Sequence, residues 1–182
     1  MERRADLERF LAGVERRAFR MARLATRDPD EALDLVQDAM TALVQRYSTR
    51  PEAEWRPLFY RILQNRIRDW ARRRAFRAPF RGLLGRGDTP APDPGAEAAD
   101  PAGASPAELA LRADAGRQLD AALQALPLRQ RQAFLLRAWE GLDVAEAAHA
   151  MGCSTGSVKT HYFRAIQALR AHLGDGWGDG IR

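Results

Sequence analysis

Asp143-Val144-Ala145-Glu146-Ala147-Ala148-His149-Ala150-Met151-Gly152-Cys153-Ser154-Thr155-Gly156-Ser157-Val158-Lys159-Thr160-His161 contains two helix-start signals separated by a glycine. Asp143 with Glu146 has the form of a capping box, and Val144, Ala147, Ala148 and Met151 supply one apolar stripe. Gly152 ends this helix after two turns, and Ser154 opens the next almost at once. From Thr155 the spacing predicts a longer helix that buries Val158, Tyr162, Ala165, Ile166, Leu169 and Leu173. It leaves Thr155, Ser157, Lys159, Thr160, His161 and Arg164 polar and outward. A short helix, a tight turn and a longer helix with a basic, hydroxyl-rich N-terminal face describe a helix-turn-helix rather than a hairpin that only packs.

The second helix of such a motif fits the major groove, and its N-terminal side chains reach base edges. Lys159 and Arg164 can contact phosphate or guanine, Thr155, Ser157 and Thr160 can bond phosphate or bases, and His161 can do either. Upstream, Leu109, Leu119, Leu123 and Leu126 mark one helix. Another, opened by Pro127, carries Phe134, Leu135, Leu136 and Trp139. These elements make residues 109–173 a C-terminal DNA-binding domain. Residues 174–182, with four glycines, are expected to be a flexible tail, and Trp177 within them has no evident role.

Between Gly85 and Glu108 there is no Val, Ile, Leu, Met or aromatic residue, while Pro90, Pro92, Pro94, Pro101 and Pro106 recur among Gly, Ala and Asp. Such a stretch buries too little to offset its ordering entropy, so residues 85–108 read as a flexible linker. Stretched, it spans about 80 Å. Residues 1–84 then form a first domain, and it is also helical. Leu7, Phe10, Leu11, Val14, Ala18, Met21, Ala22 and Ala25 give a long amphipathic helix. Asp28 and Pro29 restart the chain, with Glu31 placed to complete a capping box. The second helix carries Leu33, Val36, Met40, Leu43, Val44 and Tyr47 on one stripe. A third, from about Pro57 to Arg74, turns Phe59, Ile62, Leu63, Ile67 and Trp70 inward. The expected fold class is therefore all-α: two small helical domains joined by a Pro/Gly/Ala-rich linker.

Charge is distributed unevenly along the 182 residues. Residues 1–87 hold 20 basic and 12 acidic side chains (net +8), residues 88–105 four acids and no base, and residues 106–182 nine bases and eight acids. Arg66, Arg68, Arg72, Arg73, Arg74, Arg77, Arg81 and Arg86 face a single acid, Asp69, which is the density of a surface that meets phosphate. With one cysteine, Cys153, and three histidines, no internal disulfide is possible and there is little material for zinc. His149 and Cys153 read as packing and turn. No apolar run approaches the roughly 18 residues of a membrane span.

The run Leu126-Pro127-Leu128-Arg129-Gln130-Arg131-Gln132-Ala133-Phe134-Leu135-Leu136-Arg137, with Glu140-Gly141-Leu142 and then Gly156-Ser157-Val158-Lys159-Thr160-His161, resembles region 4 of the extracytoplasmic-function (ECF) group of bacterial sigma factors. That region holds the promoter minus-thirty-five element. In the N-terminal half, Asp34-Leu35-Val36-Gln37-Asp38 resembles the core-polymerase-binding segment of the family's region 2. The run Tyr60-Arg61-Ile62-Leu63-Gln64-Asn65-Arg66-Ile67-Arg68-Asp69-Trp70-Ala71-Arg72-Arg73-Arg74 resembles its minus-ten-binding segment. Departures are Gln64 where the family often has Arg, Met40 where it often has Phe, and Asp143 and Val144 where it often has Ser and Tyr. Gln64 thereby bears on a phosphate contact.

The resemblance implies a promoter-specificity subunit that is not an enzyme and uses no cofactor or metal. Its partners would be core RNA polymerase, promoter DNA and an anti-sigma factor, with no membrane insertion and a cytoplasmic, nucleoid-associated location. On the polymerase, region 2 would meet the clamp helices of the largest subunit and region 4 the flap of the second-largest. Asp34, Gln37 and Asp38 would bond the clamp helices, with Leu35 as an exposed apolar anchor. Asn65, Arg66, Arg68, Asp69, Arg72, Arg73 and Arg74 would grip promoter DNA around the minus-ten element. Trp55 or Tyr60 would stack on a captured base there, unless they are core. Phe76, Phe80, Leu83 and Leu84 either extend the third helix against its own domain or form a docking strip. The rival reading is a two-domain helix-turn-helix regulator whose N-terminal half senses a ligand or partner, although that half offers only basic amphipathic helices. A nucleic-acid-processing enzyme would need paired carboxylates, a phosphate-cradling loop or an activated nucleophile, and none is evident.

Overall fold

A computed structural model describes residues 2–81 and 105–174. The expectations for most of the linker, for Leu83 and Leu84, and for the tail with Trp177 lie outside the described residues, as do the side chains of Phe80 and Leu109. Seven helices and no strand are present among the described residues: α1 (Glu2–Thr26), α2 (Pro29–Tyr47), α3 (Glu52–Arg81), α4 (Pro106–Ala125), α5 (Leu128–Phe134), α6 (Val144–Met151) and α7 (Thr155–Leu173). A single π-helical turn, Leu135–Trp139, continues α5.

α1, α2 and α3 pack against one another, and α5, α6 and α7 form the second group, with α4 against α7. α2 starts where the sequence places it, with the Asp28 carboxylate accepting from the amides of Asp30 and Glu31 at 2.9 and 3.2 Å. The reciprocal half of the box does not form. The Glu31 carboxylate instead accepts from the Trp70 indole at 3.0 Å, so it staples α2 to α3. α3 begins five residues before Pro57 and continues seven beyond Arg74. Pro57 lies in its second turn, where the proline forfeits the one hydrogen bond to Ala53 without ending the helix. α4 starts at Pro106, three residues ahead of the boundary expected at 109.

The buried arc of α2 is Ala32, Leu35, Val36, Ala39, Ala42 and Leu43. This corrects two expectations. Leu35 is core, 5% exposed, and Leu33 and Val44, expected inward, are each 41% exposed. The physical cause is that α2 lies between two helices, which widens its buried arc and fills the close approaches with alanine. Trp55 and Tyr60 are also core, 1% and 0% exposed, so neither is free to stack on a base. Phe10 packs on Trp55 with ring centroids 6.0 Å apart and Phe59 on Tyr60 at 5.2 Å.

The two groups of helices are docked: α3 packs against α6 and α1 against α4. Arg131, half-buried at the seam, donates to the carbonyls of Leu24, Gln124 and Leu126. Burial, and after it the charge of Arg27, holds the Arg131 guanidinium down at about 10, which still leaves it cationic at neutral pH.

Candidate nucleic-acid and polymerase-binding faces

The turn between α6 and α7 is built as its sequence requires. Asp143 and Glu146 exchange both capping bonds, from the Glu146 amide to Asp143 at 2.7 Å and from the Asp143 amide to Glu146 at 2.8 Å. Gly152 takes φ 62° and ψ 46°, the left-handed conformation that a residue with Cβ resists. The Ser154 hydroxyl then accepts from the Ser157 amide at 3.1 Å to open α7. Val158, Ala165 and Leu169 are buried and anchor α7, while Thr155, Lys159, Thr160 and Arg164 are exposed.

Two of the six residues expected on this face are half-buried. Ser157 pairs its hydroxyl with Ser154 at 2.9 Å and belongs to the cap as much as to the surface. His161 sits where burial, then Arg129 and Arg164, press its imidazole below the usual value of 6.5, so it is neutral at pH 7. Thr160 donates its hydroxyl to the Gly156 carbonyl at 3.0 Å and retains its lone pairs for a donor. The sequence reading missed Phe163, 63% exposed and one turn beyond Lys159 and Thr160 on the same side of α7. Its signal was its absence from the buried stripe.

α3 brings the second set together. Arg72 and Arg73 are exposed, with Arg72 paired to Asp69 at 3.2 Å. Arg74 lies over the Trp70 ring, 5.4 Å from its centroid. Arg68 reaches the Asn65 side chain at 2.5 Å and the Met151 carbonyl at 3.2 Å. Gln64 is a departure from the expected phosphate face. It is 1% exposed and its amide points at the Met21 sulfur at 2.7 Å, so it packs in the core and touches no surface.

On α2, Asp34, Gln37 and Asp38 are exposed as expected. With Leu35 buried, the apolar contribution to this face comes from Leu33 and Val44. Arg66 of α3 pairs with Asp38 at 3.2 Å, so the acidic face of α2 and the arginine face of α3 are contiguous. His149 approaches the Arg61 guanidinium at 3.0 Å, and Cys153 is half-buried in the turn.

Family comparison matches residues 7–77 to Sigma-70 region 2 and residues 116–169 to Sigma-70, region 4. The ECF RNA polymerase sigma factor SigD of Mycobacterium tuberculosis is 38% identical over 72 residues, 40% of this chain and 34% of the relative, so that match spans about a third of the relative's length. ECF RNA polymerase sigma factor SigF of Caulobacter vibrioides is 32% identical over 166 residues, covering 90% of this chain and 82% of the relative. Among solved structures, the sigma factor RpoE in complex with the anti-sigma factor NepR from Bartonella quintana superposes with a TM-score of 0.62 at 23% identity, over 92% of this chain and 96% of that one. The chain belongs to the ECF group of RNA polymerase sigma factors.

Proposed function

We propose that the protein is a promoter-specificity subunit that acts by binding, joining core RNA polymerase to two elements of promoter DNA. The observation that carries this is the pairing, in one chain, of a capped helix-turn-helix with an exposed α7 face and an arginine-lined α3 whose Arg66 abuts the acidic face of α2. α7 reads the minus-thirty-five element: Lys159 and Arg164 meet phosphate or guanine, Thr155 and Thr160 add hydrogen bonds, and Phe163 offers an apolar contact to a thymine methyl. Arg72, Arg73 and Arg74 hold the backbone around the minus-ten element, and Leu33, Asp34, Gln37, Asp38 and Val44 meet the polymerase clamp helices. Region 4 docks on the flap of the second-largest subunit. An anti-sigma factor is proposed as regulator, by analogy with the NepR complex of the Bartonella relative. The sensor-regulator alternative is not favoured, because the N-terminal half is itself a sigma region 2 domain.

The test is pull-down of purified core polymerase followed by run-off transcription from a genomic library. Wild type is expected to bind core stoichiometrically and direct new start sites. Asp34→Lys with Gln37→Ala is expected to lose core binding while keeping the wild-type helical spectrum; wild-type affinity in that double variant would remove the assigned interface.

A further inference from the structure

Ile67 is the last buried residue described on α3, yet the helix continues well beyond it. The spacing of the buried Leu63 and Ile67 carries on through Trp70 and Arg74, so an arginine takes a position in the inward phase. The neighbouring row, Ala71 and Ala75, is small, and a cleft of about 310 Å³ lies between it and the end of α1. Ala25, Thr26 and Arg27 form the opposite wall, and no carboxylate lines the cleft among the described residues. The acids nearest in sequence are engaged elsewhere: Asp28 caps α2, and Glu31 takes the Trp70 indole.

Arg27 is held in that wall with φ 60°, the only non-glycine residue with positive φ among the described residues. Glycine ordinarily closes a helix in this conformation, because it has no Cβ to clash. The turn is pinned on both sides. The Arg27 amide donates to the Arg23 carbonyl at 2.8 Å, and the hydroxyl of the buried Thr26 donates to the Asp28 carbonyl at 2.9 Å while accepting from the Asp28 amide at 3.2 Å. The Arg27 side chain is exposed and has no ion pair among the described residues, and its charge is near enough to depress the ionisation of Arg131. A strained backbone that carries a cation beside a like charge costs stability, and strain of this kind gathers at ligand sites. An anion in the cleft would offset both costs.

Arg74 supplies a second guanidinium, 5.4 Å over the Trp70 ring. Two guanidinium groups match the oxygens of one phosphate, and the indole and alanines give an apolar floor beside them. The volume falls at the small end of the range for small-molecule sites, about 300–1,000 Å³. We propose that this cleft binds a small phosphate monoester, up to about the size of a mononucleotide, its phosphate gripped by Arg27 and Arg74 and its apolar part resting on Trp70. Such a ligand ties the α1–α2 turn to α3. The site shares Arg74 with the face assigned to DNA; the exposed Arg72 and Arg73 do not line it.

The test uses the full chain, isotope-labelled, at physiological salt, with AMP as the probe and adenosine as the phosphate-free control. Calorimetry reads affinity, and the Trp70 indole resonance, assigned with Trp70→Phe, reports the site. AMP is expected to bind one to one and shift that resonance, and adenosine to do neither. Arg27→Gly removes the cation and keeps the left-handed backbone. It is expected to weaken AMP about tenfold while leaving the ligand-free melting temperature equal or about 2 °C higher. Arg27→Lys should retain most of the affinity. Arg74→Gln, on the other wall, should repeat the loss without touching the turn, and it decides the matter should Arg27→Gly disturb the fold. Parental AMP affinity in both Arg27→Gly and Arg74→Gln, or no saturable AMP binding to the parent, would overturn the site. An equal loss in Arg73→Gln would do so too, since it would mark diffuse attraction to the basic surface. A loss of duplex affinity in Arg27→Gly with AMP binding unchanged would give the cleft to DNA backbone phosphate instead. AMP binding is read without polymerase or promoter, so failure of the sigma reading in run-off transcription leaves this result untouched.

Discussion

At the residue scale, His161 is a titratable group on α7 that the helix-turn-helix perturbs. Burial, then Arg129 and Arg164, lower its folded value below 6.5. The unfolded chain therefore takes up this proton first as pH falls, so the stability tied to neutral His161 is complete above about pH 6.5 and is lost as pH drops through the folded value. A proton-NMR titration of the free protein is expected to place the His161 midpoint below 6.5, and Arg164→Ala to move it upward by removing a like charge. An unmoved midpoint would show that Arg164 does not face the ring. The same scale explains what was legible in the sequence and what was not. Thr155, Lys159, Thr160 and Arg164 were readable because Val158, Ala165 and Leu169 fix the phase of α7. Leu35 and Leu33 were exchanged because Ala32, Ala39 and Ala42, all buried, carry little weight in a hydrophobic stripe. Gln64, expected from the resemblance to bear on a phosphate contact, packs its amide against a methionine sulfur in the core.

At the element scale, the short α6 depends on its ends. Eight residues are too few to hold a helix in isolation, so the capping box and the left-handed glycine carry a large share of its order. Asp143→Ala removes the acceptor for the Glu146 amide and is expected to cost about 1 kcal/mol, seen as a fall of about 2–4 °C in the melting temperature of a chain this size. Asp143→Ser, which restores an acceptor, is expected to recover most of it; no recovery would place the effect outside the cap. Both start signals of the helix-turn-helix were legible because capping is local chemistry. The limits of α3 were not, since Pro57 and the end of the arginine run resemble boundaries, and a helix of 30 residues with charge on most sides has no sharp apolar phase. Glu31 illustrates the same limit. Its spacing from Asp28 satisfies the capping pattern, but Trp70, distant in sequence, competes for the carboxylate and wins.

At the scale of the whole molecule, the basic N-terminal half and the nearly neutral C-terminal half present cations to DNA in different ways. α3 offers an exposed arginine pair, Arg72 and Arg73, and α7 offers Lys159 and Arg164. The docking of α6 on α3 was illegible in the sequence, because its polar contacts, Arg68 to the Met151 backbone carbonyl and Arg61 to His149, leave no periodic trace. In the proposed promoter complex the two faces engage separate stretches of one duplex, so their counterion release adds. Each phosphate contact contributes about 0.9 to the slope of log affinity against log salt. Arg72→Ala with Arg73→Ala is therefore expected to flatten the holoenzyme slope by about 2. Lys159→Ala with Arg164→Ala should flatten it by a similar amount, and the fourfold variant by about 4, with the free-energy losses additive to within about 0.5 kcal/mol. Promoter-binding isotherms for the four proteins between low and moderate salt check this. If the second pair of substitutions changes nothing in the background of the first, the two faces do not grip the same DNA, and the bridging geometry fails even where each face binds alone.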